Sequence, residues 1–322
     1  MGVTANATND IQGDDRWFSD HSGAIGFKVT SSKCKDKRIR YEIRSNEDYF
    51  TPISGQVYLT SRSQEIFPDI PWKYSEISCI KERESGTIFF KFYDDEGNSF
   101  ETTETVYYRS PNDCIWKVNL SEEGYSKDKF VDMSWMFSAY VNEESSYISG
   151  IGNEIIKANT FIKSWGYAGG NHALQLNAIW EYFLSKNFRY ISVTTTIDGT
   201  NRPLIVQKVR DIKSSLEDEG ANCIDGTVLL ASLLRHWGYP CYIVIVPGHA
   251  FIAMKTKLEG KAYLIHVETT LLSSDKNFIE AIKKGEEVLH AYQAEYGDQS
   301  IEYRDINRDR SFVKPIQFRE CK

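Results

Sequence analysis

A cysteine stands at the start of an apolar helix within residues 220–270, and apolar strands follow that helix. From Ile224 to Trp237 the apolar residues recur with helical spacing, and Gly238 and Pro240 end the pattern. Three strand-like segments come next, namely Tyr242–Val246, Ala250–Met254 and Ala262–Glu268. We expect the helix and the strands to pack on each other, because both are too apolar to face water.

The cysteine is Cys223, and its neighbours are typical of a helix start. Gly220 permits a turn before the helix, and Asn222 is a favourable N-cap residue. Asp225 stands near the capping-box position, so we interpret it as a cap rather than as a second catalytic acid. A thiol in the first helical turn lies beside unpaired N–H groups and the positive end of the helix dipole. Both favour the thiolate, the form in which cysteine acts as a nucleophile.

A histidine and an acidic residue follow the cysteine in the sequence, in an order that is compatible with a catalytic triad. The segment 258–261 predicts a hairpin turn, and centring it near Leu258 and Glu259 brings His249 close to Glu268 or Thr269. An acid beside a histidine holds the imidazole in its working tautomer and stabilises the imidazolium. The spacing therefore predicts a catalytic triad of Cys223, His249 and Glu268.

These residues resemble a known family. The sequence NCIDGTVLLASLLRHWG, followed by VPGHAF and VETT, is similar to the core of transglutaminase-like cysteine proteins, a branch of the papain-like superfamily. The resemblance implies that Cys223 is the nucleophile, His249 the general base and Glu268 the acid. Bacterial members with a β-rich domain before this core are also similar. The chain departs from the family in having Glu268 where aspartate is usual and Phe251 where a tryptophan often follows the histidine.

A tetrahedral intermediate also needs hydrogen-bond donors for its oxyanion. The backbone N–H of Cys223 is one candidate, since it lies at a helix start. The papain-like resemblance implies a further upstream side chain, and Gln207 is the best-placed amide. Gln207 could equally be an exposed surface residue.

Two further histidines have other interpretations. His266 lies two residues before Glu268 on the same strand face and could compete for Cys223, but the turn at Gly248 favours His249. His172, in the first turn of another predicted helix, is predicted to be a surface residue. A cysteine at a helix start is also often only a small buried residue. A module that keeps this fold but has lost the chemistry therefore remains an alternative.

Composition describes an ordinary globular chain of 322 residues, 41% hydrophobic and 26% charged, long enough for two domains. A net charge of −7 and the lack of a basic patch argue against nucleic acid as a partner. No apolar run is long enough to cross a membrane, and the N-terminus does not resemble a signal peptide. We therefore predict a cytoplasmic protein, with a secreted or periplasmic one after signal removal as the open alternative.

The six cysteines are scattered and lack metal-ligand spacing: Cys34, Cys79, Cys114, Cys223, Cys241 and Cys321. This arrangement predicts no zinc site and favours reduced thiols over a disulfide framework. The proposed chemistry needs no cofactor.

The domain organisation is predicted to be α+β. Residues 1–24 are predicted to be a flexible tail, 25–118 an immunoglobulin-like β-sandwich and 119–322 the transglutaminase-like core. Residues 110–126 are predicted to be the linker. Helices are predicted at 130–141, 147–162, 172–186 and 277–292, and strands at 188–194 and 301–318.

The predicted function is a cysteine-dependent amide hydrolase acting on a peptide or protein. Transglutaminase and glutamine deamidase are alternatives, because both share the first half-reaction, and an inactive peptide-binding module is another. Amine transfer needs an apolar, usually tryptophan-walled, tunnel that keeps water from the acyl-enzyme. At ~1.5 Å per residue, Trp237 would lie about 20 Å from Cys223, although Trp165 or Trp180 could fold back. We therefore predict hydrolysis.

Overall fold

The computed structural model describes residues 2–7, 25–31, 37–119, 130–192, 196–198, 204–316 and 318. Of residues 2–7, 119 and 196–198 it describes the backbone alone. The described chain combines helices with several antiparallel sheets, as the predicted α+β class requires.

Two antiparallel sheets form the N-terminal part. Their elements are β1 (Gly2–Ala7), β2 (Ile25–Thr30), β3 (Arg38–Ser45), β4 (Ile53–Tyr58), β5 (Ser63–Ile66), a helical turn α1 (Tyr74–Ile77), β6 (Glu84–Tyr93) and β7 (Ser99–Tyr108). The strand orders are β1-β2-β5 and β4-β3-β6-β7. The ring of Phe27 in β2 lies 5.1 Å from that of Tyr41 and 4.8 Å from that of Phe92, in the other sheet. The two sheets therefore share one core.

The C-terminal part contains the remaining elements. They are β8 (Asp113–Asn119), β9 (Phe130–Asp132), α2 (Ser146–Ala158), α3 (His172–Ser185), β10 (Arg189–Tyr190), β11 (Thr196–Asp198), β12 (Leu204–Lys208), α4 (Ile212–Glu217), β13 (Gly220–Ala221), α5 (Cys223–His236), β14 (Cys241–Val246), β15 (His249–Leu258), β16 (Lys261–Val267), α6 (Phe278–Tyr296), β17 (Glu302–Asp305) and α7 (Ile306–Asp309). Short 3₁₀ helices occupy Ser134–Tyr140, Thr269–Ser273 and Asp298–Ser300.

Several elements differ from the sequence predictions. Gly2–Ala7 pairs with β2 although a flexible tail was predicted there, while residues 8–24 lie outside the described residues. The predicted linker contains β8, which pairs with β9 and β12. Cys114 and Val118, each 1% exposed, already pack in the C-terminal cores, so the second unit begins before residue 119. Instead of a helix, residues 130–141 contain β9 and a 3₁₀ helix.

The antiparallel sheet β16-β15-β14-β17 lies between two helices. Alternate residues of β15 face opposite sides. Ile252 and Met254 pack in the core shared with α5, whereas Phe251 and Ala253 pack with Leu289 of α6. The pattern explains why β14 and β15 are apolar almost throughout: both faces of these strands are covered.

The hairpin between β15 and β16 determines where the predicted acid lies. Leu258 pairs with Lys261, and the two turn residues Glu259 and Gly260 have φ of 49° and 79°. Two consecutive positive φ values are typical of a tight two-residue hairpin turn. The hairpin is thus centred one residue later than predicted.

The prediction that the cysteines are free thiols is wrong for Cys79, which is disulfide-bonded. Cys114, Cys223 and Cys241 are free, so none of them is its partner. Cys34 and Cys321 lie outside the described residues. Spacing along the sequence could not show this bond, because a disulfide depends on spatial proximity.

Candidate active site

Cys223 is the first residue of α5, and a capping box holds that helix end. Asn222 Oδ1 accepts from the backbone N–H of Asp225 over 2.8 Å, and Asp225 Oδ2 accepts from that of Asn222 over 3.1 Å. Asp225 Oδ1 accepts from the N–H of Arg210 over 2.8 Å. Burial raises the pKa of the Asp225 carboxyl, although these N–H groups oppose the shift. Asp225 is therefore a cap.

Gly220 has a different role from the predicted turn. It lies in β13, and the left-handed residue before the helix is Glu219, with φ of 47°. A Cβ at Gly220 would meet the end of the Ile191 side chain at Cδ1, and that side chain would have to move.

The first turn of α5 is fixed to the segment that follows the predicted acid. Thr227 Oγ1 and Thr269 Oγ1 both donate to the carbonyl oxygen of Cys223, over 2.7 Å and 3.1 Å. A Cβ at Gly226 would be only 3.2 Å from Thr269 Cβ, so the helix and the 3₁₀ helix touch closely. Because Thr269 follows Glu268 directly, these contacts hold the nucleophile and the acid in a fixed relation.

His249 begins β15 directly after a tight turn at Gly248, whose φ is 75°. Its Nε2–H donates to Glu268 Oε2 over 2.8 Å. Glu268 thus occupies Nε2, which leaves Nδ1 available to the Cys223 thiol. Burial lowers the pKa of His249, but the interactions of the ring with Cys223 and Glu268 outweigh it and raise the pKa to about 10. The site thus favours the imidazolium.

Glu268 is 2% exposed, and both of its carboxylate oxygens accept hydrogen bonds. Oε1 accepts from the N–H and the hydroxyl of Thr270, over 3.0 Å and 2.7 Å, while Oε2 accepts from His249. Burial raises the pKa of the carboxyl, but the hydrogen bonds and the charge of His249 outweigh it and hold the pKa below its usual value. The backbone N–H of Glu268 donates to Ala281 O of α6 over 3.1 Å. Glu268 is an ionised, immobilised partner for His249.

Gln207 lies in β12, upstream of the helix start. Its side-chain Nε2 donates to Lys208 O over 3.0 Å, and Asn222 Nδ2 reaches the same carbonyl over 3.4 Å. The amide is therefore two hydrogen bonds away from the cap residue that precedes Cys223. The structure places it near the helix start, with its amide directed to Lys208.

The other two histidines have separate structural roles. His266 bonds through Nδ1 to Glu286 Oε1 and through Nε2 to the Tyr303 hydroxyl, over 2.8 Å and 2.7 Å. Both ring nitrogens are occupied, so His266 does not compete for Cys223. The prediction that His172 is a surface residue is wrong: it is 2% exposed, and its Nδ1 accepts from the N–H of Lys257 over 2.9 Å.

Two tyrosines near the site were missed by the sequence reasoning. Tyr190 of the two-residue strand β10 pairs with Ala221 of the two-residue strand β13. Ala221 lies two residues before Cys223. Tyr292 belongs to α6 and packs beside Leu289. Burial first, and the charges of Cys223 and Glu268 as well, raise the pKa of both phenols. The placement of these two tyrosines could not be predicted from a local sequence pattern, because it depends on contacts between segments that are distant in the sequence.

No family model matches this chain, and no curated protein or solved structure shows significant similarity to it. Within the described ranges, three or more His, Cys, Asp or Glu side chains are nowhere grouped so as to hold a metal ion. None of the described helices has both the length and the hydropathy to span a bilayer.

Proposed function

We propose that this protein is a cysteine-dependent amide hydrolase, a protease acting on peptides or proteins. The observation that carries the proposal is the hydrogen bond between His249 and Glu268, with Cys223 close enough to act on the His249 ring and placed at the N-terminus of a buried helix. In the same proposal the N-terminal sheets form an immunoglobulin-like β-sandwich. The C-terminal part is a transglutaminase-like core of the papain-like superfamily.

The geometry supports nucleophilic catalysis in two half-reactions. His249 takes the thiol proton, and the sulfur of Cys223 attacks the carbonyl carbon of the amide. The tetrahedral intermediate then collapses, the amine leaves with the proton from His249, and a thioester remains on Cys223. Water, deprotonated by His249, attacks the thioester and releases the acid and the thiol. Glu268 keeps the ring oriented and stabilises its positive charge throughout.

The oxyanion of the intermediate has donors at the helix start. The first N–H groups of a helix have no intrahelical acceptor. The capping box engages the N–H of Asp225, which leaves that of Cys223 for the oxyanion. We propose Gln207 as a second donor, which requires its amide to turn from Lys208 toward the substrate.

The positions of three described tryptophans favour hydrolysis over amine transfer. Trp237 ends α5 and stacks on Trp165, with ring centroids 4.9 Å apart. Trp180 is 1% exposed, and its ring N–H donates to Lys276 O over 2.9 Å. These three indoles are thus engaged in the core or at the far end of the helix, which supports hydrolysis over amine transfer.

We expect the protein to release free acids from a peptide amide even when a primary amine is in excess. A denatured, glutamine-rich protein such as casein, incubated with and without cadaverine, provides the test by mass spectrometry. Cleaved peptides that are absent with Cys223→Ala support the proposal. Cadaverine adducts formed in preference to cleavage would identify a transglutaminase, and conversion of glutamine to glutamate alone would identify a deamidase.

We further propose that the protein works in an oxidising compartment, since stable disulfides are typical of such compartments. The support is the disulfide at Cys79. Peptide mapping of the native protein without reductant is expected to recover Cys79 only in a cross-linked peptide. Recovery of Cys79 as a free thiol from protein purified under air would contradict the proposal.

A further inference from the structure

The approach to Cys223 has a tyrosine on its β13 side. Parallel pairing of β10 with β13 places Tyr190 opposite Ala221, and the N–H of Ile191 donates to Ala221 O over 3.0 Å. β10 also contacts the 3₁₀ helix that follows Glu268. The strand is therefore held against both the segment before the nucleophile and the segment after the acid. The side chain of Tyr190 is 47% exposed, so its ring faces solvent beside the site.

A second tyrosine lies on the His249 side. Leu289 and Tyr292 are one helical turn apart on α6 and share a face. Leu289 packs with Val246 and Phe251, and Tyr292 packs against the same cluster. Val246 pairs with His249 across the tight turn, and the Phe251 ring stacks on that of His249 with centroids 6.0 Å apart. Tyr292 thus packs against the cluster that adjoins His249 at the start of β15.

Both tyrosines therefore belong to segments that adjoin the proposed catalytic residues, Tyr190 through β13 and Tyr292 through the cluster beside His249. Tyr292 also stacks on Tyr296, with ring centroids 5.7 Å apart, and Tyr296 is 45% exposed. Partly exposed aromatic rings offer a large apolar face at low cost in side-chain entropy. An apolar, planar group held next to the thiol would cover these faces.

We infer that Tyr190 and Tyr292 form two sides of the substrate channel and select substrates with an apolar, planar group beside the scissile amide. This inference rests on the proposed function, and it names the substrate class that the function leaves open. The tyrosines contact the substrate beside the reacting bond and take no part in the proton transfers.

The test compares two alkylating agents that share one reactive group. Iodoacetamide reports the reactivity of Cys223 alone, whereas N-benzyl iodoacetamide adds a planar apolar group. The rate with N-benzyl iodoacetamide is divided by the rate with iodoacetamide, first at Cys223 and then for glutathione. The Cys223 value divided by the glutathione value is the ratio that measures the contribution of the channel. We expect a ratio of about ten for the wild type, a modest gain for burying one apolar group. N-(iodoacetyl)glycine, which carries a carboxylate instead, is expected to show no gain.

Replacing either ring should remove the gain. In Tyr190→Ala and Tyr292→Ala we expect the ratio to fall at least threefold, whereas Tyr190→Phe and Tyr292→Phe keep it. Tyr292→Leu retains the packing on Leu289 while removing the planar face, and it covers the case in which the alanine variant unfolds. Tyr263→Ala is the matched control, since Tyr263 is a 45% exposed tyrosine on β16.

A ratio that stays unchanged in both alanine variants, or a wild-type ratio of one, overturns the inference. The iodoacetamide rate taken alone decides the proposed function separately. A slow rate at Cys223 together with a high ratio would contradict the catalytic assignment while keeping the channel. A fast rate with a ratio of one would support the catalytic assignment and contradict the channel.

Discussion

Glu268→Gln is expected to lower turnover roughly 10²- to 10⁴-fold while the protein stays folded. The amide can still accept a hydrogen bond from His249, but it carries no charge to stabilise the imidazolium and can also favour the wrong tautomer. Its shape matches that of the carboxylate, but its single oxygen can accept from only one of His249 and the Thr270 N–H, so its NH2 group must face the other. The loss should appear mainly in the rate of the chemical step, since Glu268 is buried behind His249 and does not contact the substrate.

The pH profile of the same variant separates an electrostatic role from a structural one. His249 has a pKa raised to about 10, so the wild-type ring keeps its proton through neutral pH and loses it as pH rises through about 10. Wild-type activity should therefore fall on the alkaline side near that value, because the leaving amine then lacks its acid. In Glu268→Gln the hydrogen bond to a charged partner is gone, and we expect this fall at lower pH.

Glu286→Gln is the matched control. Glu286 is the other carboxylate bonded to a histidine of this hairpin, at 2.8 Å from His266 Nδ1, but it is not part of the triad. We expect its turnover to stay within about twofold of the wild type. Equal losses in both variants would show that any weakened carboxylate–histidine contact in this hairpin impairs activity, and Glu268 would then lose its assigned role.

Local sequence patterns sufficed to predict the helix start at Cys223 and the hairpin that brings His249 to Glu268. Asn222 and the apolar repeat after it predict a helix starting at Cys223, because capping and helical periodicity depend on neighbours a few residues apart. The hairpin likewise depends on a few turn residues, and its one-residue displacement still leaves His249 and Glu268 hydrogen-bonded. Moving the turn centre by one residue moves each cross-strand pairing by two, which keeps the side chains on the same face of the sheet.

Features that depend on distant segments could not be read from the sequence. His172 is buried because Lys257, in β15, supplies the N–H that its ring accepts. Tyr190 reaches the site through a pairing of two-residue strands, which leaves no periodic pattern. The strand β8 was missed because polar residues flank it and its partners, β9 and β12, are separate in sequence.

Cys223 is expected to be alkylated at neutral pH far faster than the other free thiols of the described chain. It is partly exposed, and His249 beside it can take its proton. Cys114 and Cys241 are each 1% exposed. Burial raises the pKa of both these thiols, that of Cys241 to about 12. These two are internal controls within the same molecule, and Cys79 has no free thiol while its disulfide is intact.

The measurement that tests the triad most directly is the rate of iodoacetamide alkylation at each cysteine between pH 6 and 7, followed by mass spectrometry on folded protein. The triad predicts that Cys223 reacts at least about 10²-fold faster than Cys114 and Cys241, and that His249→Gln removes most of this advantage. Equal labelling rates at Cys114, Cys223 and Cys241, preferential labelling of Cys34, or an unchanged Cys223 rate in His249→Gln would contradict it.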